Sequence, residues 1–283
     1  MNNTPAEEWT QEITAQRGLL SLPLKEIWRY RDLLLLFVKR DFVAFYKQTV
    51  LGPLWFIIQP VLTTLMFTLV FGNIAGLSTD GLPDILFYLA GVTVWGYFSE
   101  CLTKTSTTFS DNAHLFGKIY FPRMISPLAV IASNLMKFGI QFCIFLAVVL
   151  FYWMKGAIQP NSSVLLLPYL ILLMAAISLG IGLIFSSMTA KYRDLRFLLS
   201  FGVQLLMYAT PVIYPMSAIP AKYAAYIQLN PITPIIEMFR YSFLGVGDAS
   251  SAGILYASIF AALVLSLGMI IFNRVEVNFM DSV

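Results

Sequence analysis

Apolar and polar positions are not evenly mixed along this chain; long oily runs are separated by short stretches in which charge, glycine and proline collect. Six runs approach or exceed the ~20 residues that a helix needs to cross a bilayer core of about 30 Å: 53–73, 84–103, 134–153, 164–188, 197–214 and 252–272. They predict an all-α integral membrane protein with six transmembrane helices, and an even number of crossings leaves both termini on one side. Residues 21–49, SLPLKEIWRYRDLLLLFVKRDFVAFYKQT, follow a different pattern, opening on Ser21 and Pro23 and then interleaving bases with Trp28, Tyr30, Phe42, Phe45 and Tyr46. The unbroken apolar stretch there, Leu33 to Val38, rises only about 9 Å as a helix. An N-terminal interfacial amphipathic helix along the membrane surface is expected, with a soluble helix packed on protein as the competing reading.

The connection 215–251 is too long for a plain loop and too apolar to float in water. Residues 217–229, followed by Asn230 and Pro231 as the cap and first position of a second helix, predict a re-entrant half-helix pair between the fifth and sixth spans. The resulting organisation is a cytoplasmic tail over 1–20, an interfacial helix over 21–49 and a six-span membrane domain over 50–283.

Finer pattern adds local expectations. Pro60 should kink the first span, with Thr63 and Thr64 close enough to bond the backbone groups it frees. Ser178, Gly182 and Ser186 make one face of the fourth span small, as internal packing or as a homodimer seam. Glu100 and Lys104 have pairing distance on one helix, Lys137 sits where its stem can snorkel, and Glu237 and Arg240 can pair three residues apart. Tyr88, Trp95 and Phe98 fall on one face of the second span, either as packing or as the lining of a conduit where sugar faces slide over rings.

Composition agrees with a membrane class, since 58% of residues are hydrophobic and 12% charged against about 25% charged in soluble domains. The placement of charge gives orientation. Fourteen of the eighteen Lys and Arg residues flank one side of the expected bundle, which makes that side cytoplasmic and accounts for the net charge of +3 without nucleic acid. Glu7, Glu8 and Glu12 precede any apolar core, so no cleaved signal peptide is expected. A multi-pass membrane protein with both termini on the cytoplasmic side is expected.

Candidate chemistry is sparse. No G-x-x-x-x-G-K-[ST] phosphate loop, serine elbow, carboxylate pair or His/Cys ligand cluster occurs, so no catalytic residue, metal site or cofactor on this chain is expected. Cys101 and Cys143 lie in or beside apolar runs and read as packing. A multispan glycosyl- or acyltransferase would need an acid, base or metal cluster at an interface, and none is evident.

Four blocks, YKQTVLGPLWFIIQP (46–60), NAHLFGKIYFPRMISPL (112–128), KYRDLR (191–196) and LNPITPIIEMFR (229–240), together resemble the permease subunit of polysaccharide ABC exporters, the family that exports O-antigen, capsule and teichoic acid chains. The likeness runs over about residues 20–280. It implies a homodimeric channel served by two copies of a separate ATPase subunit that binds ATP and Mg, with lipid-linked polysaccharide as substrate. A type-2 permease for a lipid or drug is the alternative. Under this resemblance the loop 111–128 is a mechanical handle on the ATPase. Leu115, Phe116, Tyr120 and Phe121 would serve as apolar anchors, Asp111, Asn112, His114, Lys118 and Arg123 as its polar face, and Pro122 as the stop before the third span. Tyr192, Arg193 and Asp194 are a second expected contact. Arg29, Arg31, Lys39, Arg40 and Lys47 would receive an anionic headgroup or bind membrane lipid, and Pro231, Glu237 and Arg240 would form an outer gate.

Overall fold

The computed structural model describes residues 24–47, 49–116, 118, 121–189 and 191–280; the expected tail 1–20, the Ser21 and Pro23 helix start, and Tyr120 lie outside them. Every regular element among the described residues is helical. Two helices, α1 (Leu24–Arg29) and α2 (Arg31–Tyr46), are separated at Tyr30, and α3 (Trp55–Phe67) runs on into a wider π-helical segment, Thr68–Ile74. Then come α4 (Asp84–Thr105), two single-turn helices α5 (Thr108–Asp111) and α6 (Ala113–Phe116), α7 (Ile125–Met154) and α8 (Leu167–Thr189). The chain closes with α9 (Leu195–Tyr208), α10 (Ala221–Gln228), α11 (Thr233–Leu244) and α12 (Ser251–Met280).

Among the described residues, five stretches are long and apolar enough to cross a membrane: Gly52–Ile74, Asp84–Thr105, Ile125–Met154, Ser162–Thr189 and Ser251–Val275. They match five of the six expected runs, and the molecule is a multi-pass membrane protein. The third begins nine residues earlier than the apolar run, because Pro127 sits in its first turn, where a missing N–H costs no helical bond. The expected run 197–214 is helical only to Tyr208; at 14 residues α9 rises about 21 Å, short of a full crossing. Pro211 lies three residues beyond its end and supplies no N–H to continue the ladder.

At Pro60 the helix α3 continues, and the threonines act differently from expectation. The Thr63 and Thr64 hydroxyls donate to the Gln59 and Pro60 carbonyls one turn back, at 2.9 and 2.7 Å, rather than to the carbonyl of Phe56 that the proline leaves.

The core centres on α4, which packs against α3, α7, α8, α9 and α11. The stripe Tyr88, Trp95 and Phe98 lies inside this core, with Tyr88 edge-on to Phe67 and Phe87, and Trp95 tilted onto Phe98 at 5.4 Å. Enclosed within the chain, the three rings do the packing half of what their spacing allowed.

The small face of α8 is likewise internal. A Cβ at Gly182 would lie 2.6 Å from the Thr105 side chain of α4, and one at Gly180 would lie 2.7 Å from the Val264 and Leu265 backbone of α12. Gly268 of α12 meets the Gly180 carbonyl in return, so the two helices approach backbone to backbone. Gly180→Ala should therefore cost about 1–3 kcal/mol, as overpacking against backbone does, and lower the thermal midpoint in detergent. Gly202→Ala on α9, with open space around it, should leave the midpoint unchanged.

Candidate functional site

Polar residues gather at the two ends of the bundle and at one place between them. At the first end, where α4 turns into α7, the connection is held by its neighbours. Thr189 at the end of α8 donates through Oγ1 to the Ser106 carbonyl at 2.6 Å, and the Phe109 N–H donates to Ser186 Oγ at 3.3 Å. Phe109 is buried and stacks on Phe272 of α12, with centroids 4.4 Å apart. The described part of the connection forms the two single-turn helices α5 and α6.

Of the apolar residues expected to anchor a partner, the three described ones, Leu115, Phe116 and Phe121, pack inward on α2. Phe121 is buried edge-on against Phe37 of α2 at 5.6 Å, beside Val38, Ile125 and Ala129, with Leu115 and Phe116 packed on the same cluster. Pro122 is buried, and its carbonyl accepts from Ile125 N as α7 begins. Arg123 is buried with its guanidinium over the Phe116 ring. Asn112 is buried as well, donating to the Thr108 carbonyl and accepting from Arg40 of α2 at 3.4 Å. What remains outward is Asp111, Ala113, His114 and Lys118.

Beside them lie Tyr192, Arg193 and Asp194, all exposed at the start of α9. The two segments are joined by Arg196, whose guanidinium lies 3.7 Å from Asp111 Oδ1 and also donates to Ser110 Oγ. Arg196 belongs to KYRDLR but nothing in its spacing singled it out, because its partners are elsewhere in the chain. With both side chains partly exposed, this pair is worth under about 1 kcal/mol to stability. Arg196→Ala should therefore leave the melting midpoint within about 2 °C while loosening the register between the two segments.

On α1 and α2, Arg29, Arg31, Lys39, Arg40 and Lys47 are all exposed. Arg31 sits over Trp28 and near Asp32, whereas Arg40 pairs with Asp41 at 2.8 Å and covers Phe37 while reaching Asn112. Arg40 thus ties α2 to the connection, and the other four bases are left at the surface of the segment.

Within the bundle, Lys137 of α7 does not snorkel. Its side chain is 5% exposed and donates to Glu100 Oε2 at 2.8 Å, and Lys104 lies 3.6 Å from the same oxygen. The simple Glu100–Lys104 pair expected from one helix is a three-residue cluster across two.

At the other end α10 and α11 form the expected pair of short helices, about 12 and 18 Å long. Their boundary differs. Pro231 lies in the turn, the second helix starts at Thr233, and Pro234 holds its first turn. Asn230 accepts from Ile232 N and donates to Thr210 Oγ1 at 2.8 Å. The helix α11 is buried along nearly all its length, whereas α10 is mostly exposed. Glu237 and Arg240 do pair, at 3.2 Å, and both are buried. Arg240 also donates to the Pro211 and Val212 carbonyls and lies over the Phe87 ring at 3.8 Å. Glu237 Oε2 accepts from Asp248 N at 3.2 Å. The pair therefore clamps α11 to the broken end of α9 on one side and to the 245–250 turn on the other.

Among the described residues no group of three or more His, Cys, Asp or Glu converges as metal ligands would. The interior cleft lined by Val94, Tyr97, Phe138, Met174 and Ile235 is apolar throughout. The described residues thus form a helical membrane bundle with polar clamps at both ends and a charged cluster between them.

Comparison with known proteins places the chain more narrowly. The model of the ABC-2 type transporter family matches residues 32–244, and the chain belongs to that family. It is 29% identical over 252 residues to the O-antigen export system permease protein RfbA of Klebsiella pneumoniae, covering 88% of this chain and 94% of that protein. To the polysialic acid transport protein KpsM of Escherichia coli it is 24% identical over 227 residues, 80% of this chain and 86% of the other. The inner membrane transport permease YadH of Escherichia coli K12 is 25% identical over 202 residues, 68% and 77% of the two chains.

Proposed function

We propose that this chain is the channel-forming permease subunit of an ATP-driven exporter that moves lipid-linked polysaccharide across the bacterial cytoplasmic membrane. The observation that carries the reading is the nearly end-to-end match to a permease named for O-antigen export, spanning 94% of that protein. In this reading two copies of the chain form the channel, and two copies of a separate ATPase bind ATP and Mg and supply the work. The end bearing α2, α5 and α6 faces the cytoplasm, where the basic residues concentrate. The segment 209–215 completes a sixth crossing begun by α9, and α10 with α11 dips back into the membrane at the outer side.

The outward residues Asp111, His114 and Lys118, with Tyr192, Arg193 and Asp194, are the surface offered to the ATPase. Arg196 joins the two patches, so a push on one is felt by both. Because Phe121, Leu115 and Phe116 pack on α2, a displaced connection carries α2 with it, along with the bases that meet lipid headgroups. Glu237 and Arg240 hold α11 closed over the outer end between strokes.

The test is reconstitution of the chain with its ATPase in vesicles loaded outside with a lipid-linked glycan. ATP-dependent protection of the glycan from an external glycosidase is the expected result. Flipping of a plain phospholipid or drug at equal rate, with no glycan protected, would favour the alternative of a lipid or drug permease.

A further inference from the structure

The export cycle proposed above uses the buried helix α11 and leaves its neighbour α10 without a task. Glu237 and Arg240 hold α11 inside the protein, whereas Tyr223, Tyr226 and Leu229, along α10 and at its end, are exposed, Tyr226 by 71%. They recur every three residues and so run along one side of the helix, while Ala224 and Ile227 on the other side are half-buried. Lys222 is the one charged residue of α10, and its ammonium lies 5.3 Å from the centre of the Tyr223 ring. Rings with polar tips beside a base on a long stem fit the boundary between headgroups and acyl chains, where the apolar body and the polar end both find a solvent.

The level of α10 is fixed by α12. The Tyr256 hydroxyl donates to the Leu229 carbonyl at 2.7 Å. Tyr256 is five residues into a span that starts at Ser251, so the end of α10 is tied about 7–8 Å along that span. Leu255, next to Tyr256, opens an exposed apolar stripe that continues through Ile259, Leu263 and Leu267 at four-residue spacing, as the lipid-facing side of a membrane helix does. The exposed side of α10 thus adjoins a surface that meets lipid. The end of α7 repeats the pattern, with Phe151 and Trp153 exposed and the Lys155 ammonium 4.3 Å from the Phe151 ring centre. Asn161, shortly after it, donates to the Tyr241 carbonyl of α11, which puts both aromatic belts at the same end of the bundle.

We propose that α10 docks on a lipid surface, the headgroup layer of the outer leaflet, through Tyr223, Tyr226 and Leu229, with Lys222 reaching the headgroups. The occupant is bulk membrane lipid and not an exported molecule. The inference rests on the export reading only in calling this side the outer one. With α10 so placed, the gate helix α11 is anchored at the membrane surface and the dip of α10 into the bilayer is shallow.

The experiment uses the full chain in phosphatidylcholine nanodiscs, with Cys143→Ser removing the exposed thiol and Cys101 left in the core. Tyr226→Cys or Leu229→Cys then carries a nitroxide, and its collisions with oxygen, which concentrates in lipid, and with a water-soluble nickel chelate are read by electron paramagnetic resonance. Leu263→Cys, midway along the stripe of α12, and Ala249→Cys, on the exposed 245–250 turn, give the lipid and water references. Labels at 226 and 229 should give collision ratios between the two references, at a depth of about 5–10 Å. Adding Tyr223→Glu and Tyr226→Glu should move the label at 229 to the water reference and leave the melting midpoint in detergent unchanged, because both rings are exposed. A ratio equal to that at Ala249 without the glutamates would overturn the inference, since α10 would then stand in water. Weak collision with both reagents would also overturn it, by showing that protein, a second copy included, covers this face. So would a label at 229 that the two glutamates do not move. Depth is read without transport, so a failed glycan export assay with the expected ratios removes the export reading and keeps the lipid contact. Export with a water-like ratio does the reverse.

Discussion

Arg240→Met should cost the folded protein about 3–5 kcal/mol, the range for removing one partner of a buried ion pair, and leave little of it in the membrane fraction. Three groups lose their partner at once. Glu237 is stranded with its charge in a buried site, and the Pro211 and Val212 carbonyls lose the donors that hold the broken end of α9 against α11. Arg240→Lys should recover only part of this, since one ammonium cannot serve the carboxylate and two carbonyls in the fork geometry of a guanidinium. Glu237→Gln should be milder than Arg240→Met, because the single amide oxygen can still accept from Arg240, while the amide nitrogen comes to face the Asp248 N–H that the second carboxylate oxygen accepted from. The charge-swapped double variant should not rescue the single, as carboxylate oxygens placed at position 240 would face two carbonyls. Thermal midpoints in detergent check the order, and vesicle leakage of the milder Glu237→Gln tests the gate role separately from folding. A charge-swapped protein as stable as wild type would show that the carbonyl contacts carry no weight.

His114→Glu with Lys118→Glu should break the grip on the ATPase. Two acidic side chains at a docking centre, one of them in place of the Lys118 cation, cost about 2 kcal/mol or more of binding, or roughly thirtyfold in affinity, and should appear as lost co-purification and lost stimulation of ATP hydrolysis. The permease alone should melt as wild type does, because both side chains are exposed and outside the apolar cluster. Phe121→Asp should behave differently. Phe121 is buried between Phe37 and Ile125, so a charge there lowers the melting midpoint of the isolated chain before any partner is added. The contrast separates a surface that docks from a core that supports it. If the glutamate pair keeps full stimulation while Phe121→Asp melts normally and loses it, the outward and inward roles are assigned the wrong way round.

The helical membrane class and five of the long helices were legible because twenty apolar residues in a row have few other uses. The sequence overestimated α9, since apolar composition continues through residues 209–214 while the helix stops at Tyr208, and hydropathy is blind to backbone. The pair Glu237 and Arg240 was readable from spacing along one helix, but the Pro211 and Val212 carbonyls that make Arg240 a clamp lie in another segment. Lys137 was misread for the same reason: its partner Glu100 is on a different helix, and a lysine near a helix end snorkels unless something inside receives it. Periodicity put Tyr88, Trp95 and Phe98 on one face without saying what that face meets. Leu115, Phe116 and Phe121 were recognised as anchors, yet α2, which they anchor, lies far upstream in the chain.

If this subunit contributes the channel and the grip, as proposed, ATP hydrolysis belongs to another polypeptide. ATP hydrolysis and glycan translocation should be measured together in vesicles holding the permease alone, the ATPase alone, and both. Translocation only with both, and hydrolysis by the permease alone at the empty-vesicle background, is the predicted result. Hydrolysis or glycan movement by the permease alone would show that the chain carries its own engine.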